Sequence, residues 1–399
     1  MRFATFVLSL PLFLVASCGH AQSGDSARKA AATTQKSAAD QQRDRAVERP
    51  TPAPFKVASL GSFAEPWAIK VEPGTGRIFV TEKAGSMKVV DPKTHQTASV
   101  GGMPTDVSYG GQGGFADVAF APDYGRSHTI YLSWVTKEDG NKRYGVVGRG
   151  TLACAQMTSC AVQGLKVIWR QQPALDTFGQ FALRITFSPD GKYLFVSSGE
   201  MMKGDPAQDL SNNLGKIVRL NLDGTAAAGN PFAGKGSPTD QIWTYGHRNP
   251  LGLKFDLNGQ LWDIEHGPMG GDEINKLHAG DNYGWPVVSD GDNYNGTPIP
   301  RHWTHPEFHA PAIWWNPVIA PGDFIFYSGK LWKDWKGQAI VAGLKTQCLA
   351  RVSLSGDHGT EVARYDMGHR MRDVAEAPDG SLYAIEDGNG GRLLHLTPK

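Results

Sequence analysis

The sequence predicts an all-β fold, and within that class a six-bladed β-propeller. A loose repeat recurs along the chain, consisting of an apolar residue, a turn of Pro, Asp, Asn or Gly, and a strand of alternating apolar residues. The clear copies cover 71–82, 120–134, 187–200, 255–267 and 377–388, and a degenerate copy covers 326–344. A period of roughly 50 to 70 residues with several short strands is typical of propeller blades. Long amphipathic helical patterns are missing from the sequence, and the uneven spacing leaves seven blades as an alternative.

The composition is that of a folded body with many tight turns. The chain has 399 residues with 48 glycines and 25 prolines, which is ample for a large core and fits a β-rich fold. A formal net charge of +1 gives no electrostatic reason to expect a nucleic acid or a membrane surface as a partner.

The chain begins with a targeting signal at residues 1–18. Arg2 precedes an apolar run, 3–16, that is too short to span a bilayer and has the layout of a signal peptide. The run ends in a lipobox-like Val-Ala-Ser-Cys, so we expect Cys18 to be lipidated and to anchor the mature protein. An ordinary secretory signal cleaved near Ala21 is the alternative. Both interpretations predict export, and the first predicts a lipid-anchored periplasmic protein.

The segment 19–54 is rich in small, polar and charged residues and holds hardly any large apolar side chain. Such a segment cannot bury a core, so we expect a disordered tether that leads into a propeller at 55–399. Within this body, Cys154 and Cys160 close a short loop, and export favours a disulfide between them. We expect Cys348 to be buried and unpaired.

The stretch 245–286 carries the densest group of candidate site residues. It holds two motifs, GHRNP at 246–250 and EHGPMGGDE at 265–273, separated by a predicted strand, turn and strand. A hairpin of that length places both motifs at the same end of two neighbouring strands. The first motif offers a guanidinium and an amide, and the second offers glycines and backbone carbonyls that suit calcium. We therefore expect the hairpin to hold an anionic ligand and a metal together. The alternative, for each motif alone, is that its Gly and Pro residues only form a loop.

A propeller brings residues from distant blades into one basin on its axis. The candidates for this basin are polar residues next to the expected inner strands, namely Gln112, Gln180, Arg248, Asn249, Gly267, Pro268, Lys345, Arg370 and Arg372. Four of them are cations, which would repel one another unless they hold a polyanion. Arg370 and Arg372 alternate in register and are expected to share one strand face. For each cation taken singly, a solvated surface charge is the alternative.

Six motifs extend this prediction to a family. They read GQGGFADVAFAPDY, YGHRNPLGLKFD, EHGPMGGDEIN, GDNYGWP, AGLK and RMRDVAEAPDG. They resemble motifs of the soluble quinoprotein glucose dehydrogenase and aldose sugar dehydrogenase family, also called glucose/sorbosone dehydrogenases. The likeness extends from about Ser59 to Leu396 and is most specific from Gly246 to Pro286. It implies a six-bladed β-propeller that binds pyrroloquinoline quinone (PQQ), whose three carboxylates would account for the cations, together with calcium.

The same resemblance implies a role for each candidate residue. Gln112 would contact the quinone, and Arg248 and Asn249 would lie beside its reactive carbonyl. Gly267 and Pro268 would bind calcium through their backbone carbonyls. The remaining cations, Lys345, Arg370 and Arg372, would pair with carboxylates and quinone oxygens. Calcium and Arg248 would polarise the quinone carbonyl towards a hydride. The implied reaction is oxidation of an aldose sugar at its anomeric carbon to the lactone, with electrons passed to an external acceptor.

The chain departs from the family pattern at the catalytic base. The pattern has a histidine four residues before an arginine, whereas this chain has Gln180 before Arg184. A neutral amide does not accept a proton as imidazole does, and a general base typically contributes about 10²–10⁴-fold in rate. The residue that orients the base in the family corresponds to Glu200. Other alignments would offer Asp176 or His302 as the base.

Two further functions follow from these features. Gln180 motivates a propeller that keeps the quinone or sugar basin without the chemistry. A calcium-dependent hydrolase such as a lactonase needs a cage of carboxylates and amides on the axis, and the cationic set argues against it. The aromatic residues that could stack on a sugar, each more often structural, are Trp285, Tyr294, Trp303, Trp314 and Trp315. The acidic turn 290–292 is a weaker candidate for a second calcium site.

Overall fold

The structure is a computed structural model that describes residues 50–399, and these form six four-stranded antiparallel sheets arranged as a six-bladed β-propeller. The predicted fold class is confirmed. The predicted signal peptide, Cys18 and nearly all of the predicted tether lie outside the described residues. In the part of the chain that is described, no helix is long and apolar enough to cross a membrane.

The strands follow the chain in blade order after an initial strand, β1 (Phe55–Ala64). Blade 1 holds β2 (Pro66–Val71), β3 (Ile78–Glu82), β4 (Ser86–Val90) and β5 (Thr97–Ser99). Blade 2 holds β6 (Phe115–Phe120), β7 (Thr129–Lys137), β8 (Arg143–Ala153) and β9 (Ala161–Arg170). Blade 3 holds β10 (Ala182–Phe187), β11 (Tyr193–Ser198), β12 (Lys216–Asn221) and β13 (Ile242–Tyr245).

The second half of the ring carries the one inserted ribbon. Blade 4 holds β14 (Pro250–Phe255), β15 (Leu261–Glu265), β17 (Asp272–Lys276) and β19 (Ile313–Trp315), and β16 (Met269–Gly270) pairs with β18 (Gly291–Asp292) beside it. Blade 5 holds β20 (Pro321–Phe326), β21 (Ala339–Gly343), β22 (Cys348–Ser355) and β23 (His358–Asp366). Blade 6 holds β24 (Met371–Glu376), β25 (Leu382–Glu386), β26 (Asn389–Pro398) and β1.

Helical segments are short and lie in the connections. Residues 50–399 hold one α-helical turn, α1 (Tyr124–Ser127). The 3₁₀ turns span Asp139–Asn141, Met157–Ser159, Asp205–Ala207, Thr239–Gln241, His302–Thr304 and Lys333–Trp335.

The ring closes through strands from both ends of the described chain. β1 pairs with β26 antiparallel, from Phe55 opposite Pro398 to Ala64 opposite Asn389. The first strands of the six blades, β2, β6, β10, β14, β20 and β24, contact one another in a circle around the axis. Every inner strand starts at the same end of this circle, so the residues before these strands meet on one face.

The predicted repeat corresponds to the hairpin between the first and second strand of each blade. In the fourth copy, Asp256 Oδ1 accepts the backbone N–H groups of Asn258 and Gln260, both at 2.9 Å. Gly259 has φ +83°, a conformation that glycine adopts without steric cost. The turn residues therefore fix the register that buries alternate side chains of both strands.

Apolar side chains fill the spaces between neighbouring blades. Phe79 and Met87 of blade 1, for example, pack in one cluster with Phe115 and Leu132 of blade 2, and all four are fully buried. Packing of this kind fixes the angle between adjacent sheets, and with it the position of each inner strand on the axis.

The cysteines are placed as the sequence suggests. Cys154 and Cys160, in the connection between β8 and β9, are joined by a disulfide. Cys348 is buried and unpaired.

Candidate active site

A cavity of about 310 Å³ lies at one end of the propeller axis. Its walls come from residues just before the inner strands and residues just after the second strands, since antiparallel blades bring both to the same face. Four of the predicted site residues line it, namely Gln112, Asn249, Arg370 and Arg372. These residues come from three blades, as expected for a shared basin on the axis.

Arg370 and Arg372 hold one carboxylate between them. The Arg370 Nε donates to Asp387 Oδ2 and the Arg372 Nε donates to Oδ1, both at 2.8 Å. Burial alone would raise the pKa of Asp387, but Arg372 and Arg370 hold it below its ordinary value. Two guanidiniums and one carboxylate leave a net positive charge in this wall of the cavity.

Arg248 lies beside the cavity, in the loop that leads into β14, and does not itself line the cavity. Its Nη1 donates to the His266 carbonyl at 3.2 Å and its Nη2 to the Tyr294 hydroxyl at 3.3 Å. Its guanidinium carbon lies 5.3 Å from the centre of the Trp285 ring. Its Nε has no hydrogen-bond partner among the described residues, although the side chain is only 7 % exposed. Arg248 therefore keeps donor capacity for a ligand.

Three amide side chains lie close to the same wall. The Gln112 Oε1 accepts the backbone N–H of Gln180 at 2.8 Å, and Gln180 has φ +59°, which non-glycine residues rarely adopt. Gln180 itself does not border the cavity, but the next residues, Phe181 and Ala182, do. Within residues 50–399, the buried Gln180 Oε1 and Asn249 Oδ1 have no hydrogen-bond partner. Such free acceptors are costly unless a donor reaches them.

Glu200 does not orient Gln180, contrary to the role that the resemblance implies. Its Oε2 accepts the backbone N–H groups of Lys203 and Gly204, and its own N–H donates to the Arg248 carbonyl at 3.0 Å. Burial raises the pKa of the Glu200 carboxyl above its ordinary value. The carboxylate is drawn to the turn after β11 because that turn has backbone N–H groups that need an acceptor.

Gly267 and Pro268 follow β15 after one intervening residue, His266, whose carbonyl accepts from Arg248. The Gly267 N–H donates to Asp272 Oδ1 at 2.9 Å, and Asp272 Oδ2 accepts the Ala320 N–H at 2.6 Å. Burial raises the pKa of Asp272 to about 7. The carbonyls of Gly267 and Pro268 accept no hydrogen bond from any residue that the structure describes. Two unused carbonyls next to each other suit a hard cation.

Lys345 is exposed in the turn after β21, next to Leu344, which lines the cavity. Lys83, His266 and Asp387 also line the cavity, and the sequence analysis missed all three. Each is the first residue after the second strand of its blade. The signal that could have found them is this fixed position in the repeat, which the sequence analysis used for only some of the copies.

The imidazole of His266 is held neutral. Its Nε2 lies 2.8 Å from the Pro321 carbonyl and must carry the proton, which leaves Nδ1 as an acceptor. Burial lowers the pKa of His266 to about 3, and Arg248 and Arg372 act in the same direction. A base with so low a pKa accepts a proton poorly near neutral pH. His266 therefore does not replace the histidine that Gln180 displaces.

The other two candidate bases lie outside the cavity. Asp176 is exposed on the surface. His302 is buried, with Nδ1 3.2 Å from Asp290 Oδ2 and Nε2 3.2 Å from the Tyr283 carbonyl. Asp290 belongs to the acidic turn 290–292, the weaker candidate for a second calcium site, and its Oδ2 already pairs with the His302 imidazole.

The aromatic candidates divide into two groups. Trp285 and Tyr294 flank Arg248, and Tyr294 is 74 % exposed. Trp303, Trp314 and Trp315 do not line the cavity. Trp315 is buried, and its Nε1 donates to Glu361 Oε2 at 2.7 Å, so its role is structural.

A ring of buried charges lies on the axis and supports one wall of the cavity. One charged residue from each inner strand takes part, namely Lys70, Asp117, Arg184, Lys254, Asp323 and Asp373. Arg184, fully buried, lies 3.3–3.5 Å from three of these carboxylates and donates to the carbonyls of Leu251 and Gly322. Its guanidinium carbon is 3.9 Å from the centre of the Trp67 ring, and Trp67 lines the cavity.

Comparison with known proteins places this chain in a family. The family model for Glucose / Sorbosone dehydrogenase matches residues 63–395. Aldose sugar dehydrogenase YliI of Escherichia coli (strain K12) is 36 % identical over 342 residues, which cover 84 % of this chain and 90 % of that protein.

Solved structures agree with this match. The soluble aldose sugar dehydrogenase of Escherichia coli in its apo-form has a TM-score of 0.80 and 34 % identity, over 86 % of this chain and all (100 %) of that one. The PQQ-bound aldose sugar dehydrogenase of Streptomyces coelicolor has a TM-score of 0.68 and 26 % identity, over 88 % and 100 % of the two chains. The chain therefore belongs to the glucose/sorbosone dehydrogenase family.

Proposed function

We propose that this protein is a PQQ- and calcium-dependent dehydrogenase that oxidises an aldose sugar at its anomeric carbon to the lactone. The electrons then pass to an external acceptor. The observation that carries the proposal is the axial cavity in which Asn249, Arg370 and Arg372 meet, with Arg248 beside it and bonded to the carbonyl of His266, which lines the cavity. Membership of the family and the PQQ-bound relative support the same class of reaction.

The cations around the cavity fit the three carboxylates of PQQ. Arg370, Arg372 and Lys83 border the cavity, and the exposed Lys345 directly follows Leu344, which also lines it. Asp387 neutralises only part of this charge. Guanidinium groups bind carboxylates through paired, charge-assisted hydrogen bonds, so Arg370 and Arg372 suit planar carboxylates best.

The uncharged groups fit a quinone and a sugar. The free Arg248 Nε is a donor for an oxygen that gains negative charge. Asn249 lines the cavity and has a free Oδ1, an acceptor that suits a sugar hydroxyl. The free Gln180 Oε1 is a further buried acceptor, next in sequence to Phe181 and Ala182 of the cavity lining. We propose that the unused carbonyls of Gly267 and Pro268 hold the calcium ion.

The mechanism assigns a separate task to each group. PQQ, when bound, would supply the quinone that accepts the hydride from the sugar. Arg248 stabilises the developing negative charge, and Arg370 and Arg372 keep the cofactor oriented. Asn249, which lines the cavity, would accept a hydrogen bond from a sugar hydroxyl and so help to orient the anomeric carbon. Gln180 does not take up a proton, so the position of the family's base offers no acceptor for the proton of the anomeric hydroxyl, and we expect slow turnover.

A specific observation favours a second candidate function, a quinone- or sugar-binding propeller without turnover or with an altered activity. Gln180 stands where the family pattern places its base, and the imidazole that lines the cavity, His266, has a pKa of about 3. Neither group is a good proton acceptor near neutral pH.

One titration separates the two functions. PQQ is added to the purified protein with and without calcium, binding is followed by absorbance, and an aldose and a reducible dye are then added to the same sample. Calcium-dependent binding followed by sugar-dependent dye reduction supports the dehydrogenase. Binding without reduction for any sugar supports the non-catalytic candidate, and the absence of PQQ binding rules out both quinone functions.

We also propose that the protein is exported and lipid-anchored at Cys18. The proposal rests on the apolar run before Cys18 and on the polar composition of 19–54. Metabolic labelling with a radioactive fatty acid tests it, with Cys18→Ser as the matched control. Label in both proteins, or in neither, contradicts the anchor.

A further inference from the structure

We propose that Glu265 is a positioning residue that sets the placement of Arg248 and Asn249 through their backbone N–H groups. This inference rests on the proposed function, because it concerns the two residues assigned to the quinone and the sugar. Glu265 does not line the axial cavity, and its side chain is almost completely buried.

One oxygen of Glu265 serves the two site residues. Its Oε2 accepts the Arg248 N–H at 2.6 Å and the Asn249 N–H at 3.1 Å. A carboxylate that binds two consecutive backbone N–H groups fixes the peptide between them, and with it the directions in which both side chains leave the backbone. These two N–H groups belong to the loop that leads into β14, which has no strand partner at this point.

The other oxygen of Glu265 is held by two buried donors. Its Oε1 lies 2.9 Å from His247 Nδ1 and accepts from Asn275 Nδ2 at 3.2 Å. His247 is fully buried, its Nε2 lies 2.9 Å from Thr244 Oγ1, and its ring stacks on Tyr283. The carboxylate is therefore fixed in both position and orientation, and through its hydrogen bonds it fixes the backbone of the loop that carries Arg248.

The geometry of Arg248 makes this fixed backbone important. The guanidinium has no carboxylate partner among the described residues; its neighbours are a carbonyl, a hydroxyl and two aromatic rings. Its reach into the site is therefore set mainly by its backbone. A misplacement of about 1 Å in a catalytic site can cost roughly 10²-fold in rate.

Two substitutions separate the effect of the length of the Glu265 side chain from the effect of its charge. Glu265→Gln keeps the length of the side chain and an acceptor oxygen, whereas Glu265→Asp keeps the charge and withdraws it by one methylene. If the length of the Glu265 side chain is what matters, because it brings an oxygen to the two backbone N–H groups, shortening it should be the more harmful change. We then expect kcat of the PQQ- and calcium-loaded enzyme to fall about 100-fold in Glu265→Asp and less than about 10-fold in Glu265→Gln. The absorbance band of bound PQQ shifts in Glu265→Asp and not in Glu265→Gln.

Asp263→Asn is the matched control. Asp263 Oδ2 lies 3.1 Å from the same His247 Nδ1 but bonds neither backbone N–H of the site residues. This variant should keep kcat and the absorbance band within about twofold of the parent, since it leaves the loop in place. Equal losses in Glu265→Asp and Asp263→Asn would show a general effect of burying charge and would overturn the inference.

A measurement without turnover keeps the inference testable if Glu265→Asp fails to fold. Amide hydrogen exchange of Arg248 and Asn249 is compared between the parent and His247→Gln, which loosens the hold on Glu265. Faster exchange at these two amides supports positioning, and unchanged exchange overturns it. Failure of the proposed function is a different result, because the parent would then bind no PQQ or reduce no dye, whatever the exchange of these amides.

Discussion

The Arg372 guanidinium and the Asp387 carboxylate form an ion pair inside the cavity wall, with Nη2 2.7 Å from Oδ1. Burial opposes both charges, and it lowers the pKa of Arg372 even though Asp387 acts in the other direction. The pair therefore holds the guanidinium in a fixed place before any ligand arrives. A pre-oriented cation binds a carboxylate with little further loss of side-chain entropy.

We expect Arg372→Gln to weaken PQQ binding more than Arg370→Gln. The Arg372 side chain is 13 % exposed and that of Arg370 is 49 % exposed, so solvent screens the second charge more strongly. Loss of a charge-assisted hydrogen bond in a buried site corresponds to a weakening of roughly tenfold or more. The dissociation constant of PQQ, measured by titration in the presence of calcium, checks this order. Equal effects of the two substitutions would contradict it.

We expect Gln180→His to raise kcat. An imidazole at this position supplies a proton acceptor that the amide lacks, and a general base contributes roughly 10²–10⁴-fold. The rate should also become dependent on pH, falling as the new imidazole is protonated. Steady-state kinetics between pH 5 and 9 on the parent and the variant measure both effects, with Gln180→Asn as the control that introduces no base. An unchanged kcat in an active parent would show that position 180 does not limit the rate.

The sequence was sufficient for the fold because the repeat marks the same hairpin in all six blades. The turn at Gly259 illustrates the reason. Its residues specify the geometry of the turn, and the alternation of side chains along the two strands then sets which face of the sheet is buried. The convergence of Asn249, Arg370 and Arg372 also followed, because a propeller brings the starts of its inner strands to one face.

Pairings between side chains could not be predicted in the same way. Asp387 binds both Arg370 and Arg372, and its position in the repeat could place it at the cavity but does not show which side chains it pairs with. Glu200 follows its strand as expected, but its carboxylate turns to backbone N–H groups rather than to Gln180. Such choices depend on which donors lie nearby in three dimensions, and local pattern carries no information about them.

We expect His302 to make stability fall as the pH rises above neutrality. Burial would lower its pKa, but Asp290 and Glu273 raise it to about 9. Because the folded-state pKa lies above the unfolded value of about 6.5, the stabilisation is fully present below that value and is lost as the pH rises towards 9. The size of the shift corresponds to about 3 kcal/mol of unfolding free energy.

Urea unfolding of the apo protein at several pH values between 6 and 9.5 measures this effect. His302→Gln keeps a hydrogen-bond donor but does not titrate, so its unfolding free energy should depend less on pH in this window. The same dependence on pH in both proteins would place the titrating group elsewhere in the molecule.

We expect Arg184→Met to destabilise the protein strongly. The guanidinium lies within 3.5 Å of three buried carboxylates, those of Asp117, Asp323 and Asp373, and its removal leaves them without this counter-charge. Breaking a buried ion pair by removing one partner typically costs about 3–5 kcal/mol, because the remaining charge stays desolvated. Lys70 and Lys254 lie near the same carboxylates and offset part of the loss.

The unfolding free energy from urea titration tests this prediction, with Arg126→Met as the control. Arg126 pairs with Asp123 on the surface, where its side chain is 86 % exposed, and its replacement should change stability by less than about 0.5 kcal/mol. Replacing Arg184 and Asp373 together, by Met and Leu, should recover part of the loss, since it removes a charge of each sign. If Arg184→Met lowers the unfolding free energy no more than the control does, the axial charges are not tightly coupled. Solvent must then reach the charges beneath Trp67, in the wall of the cavity.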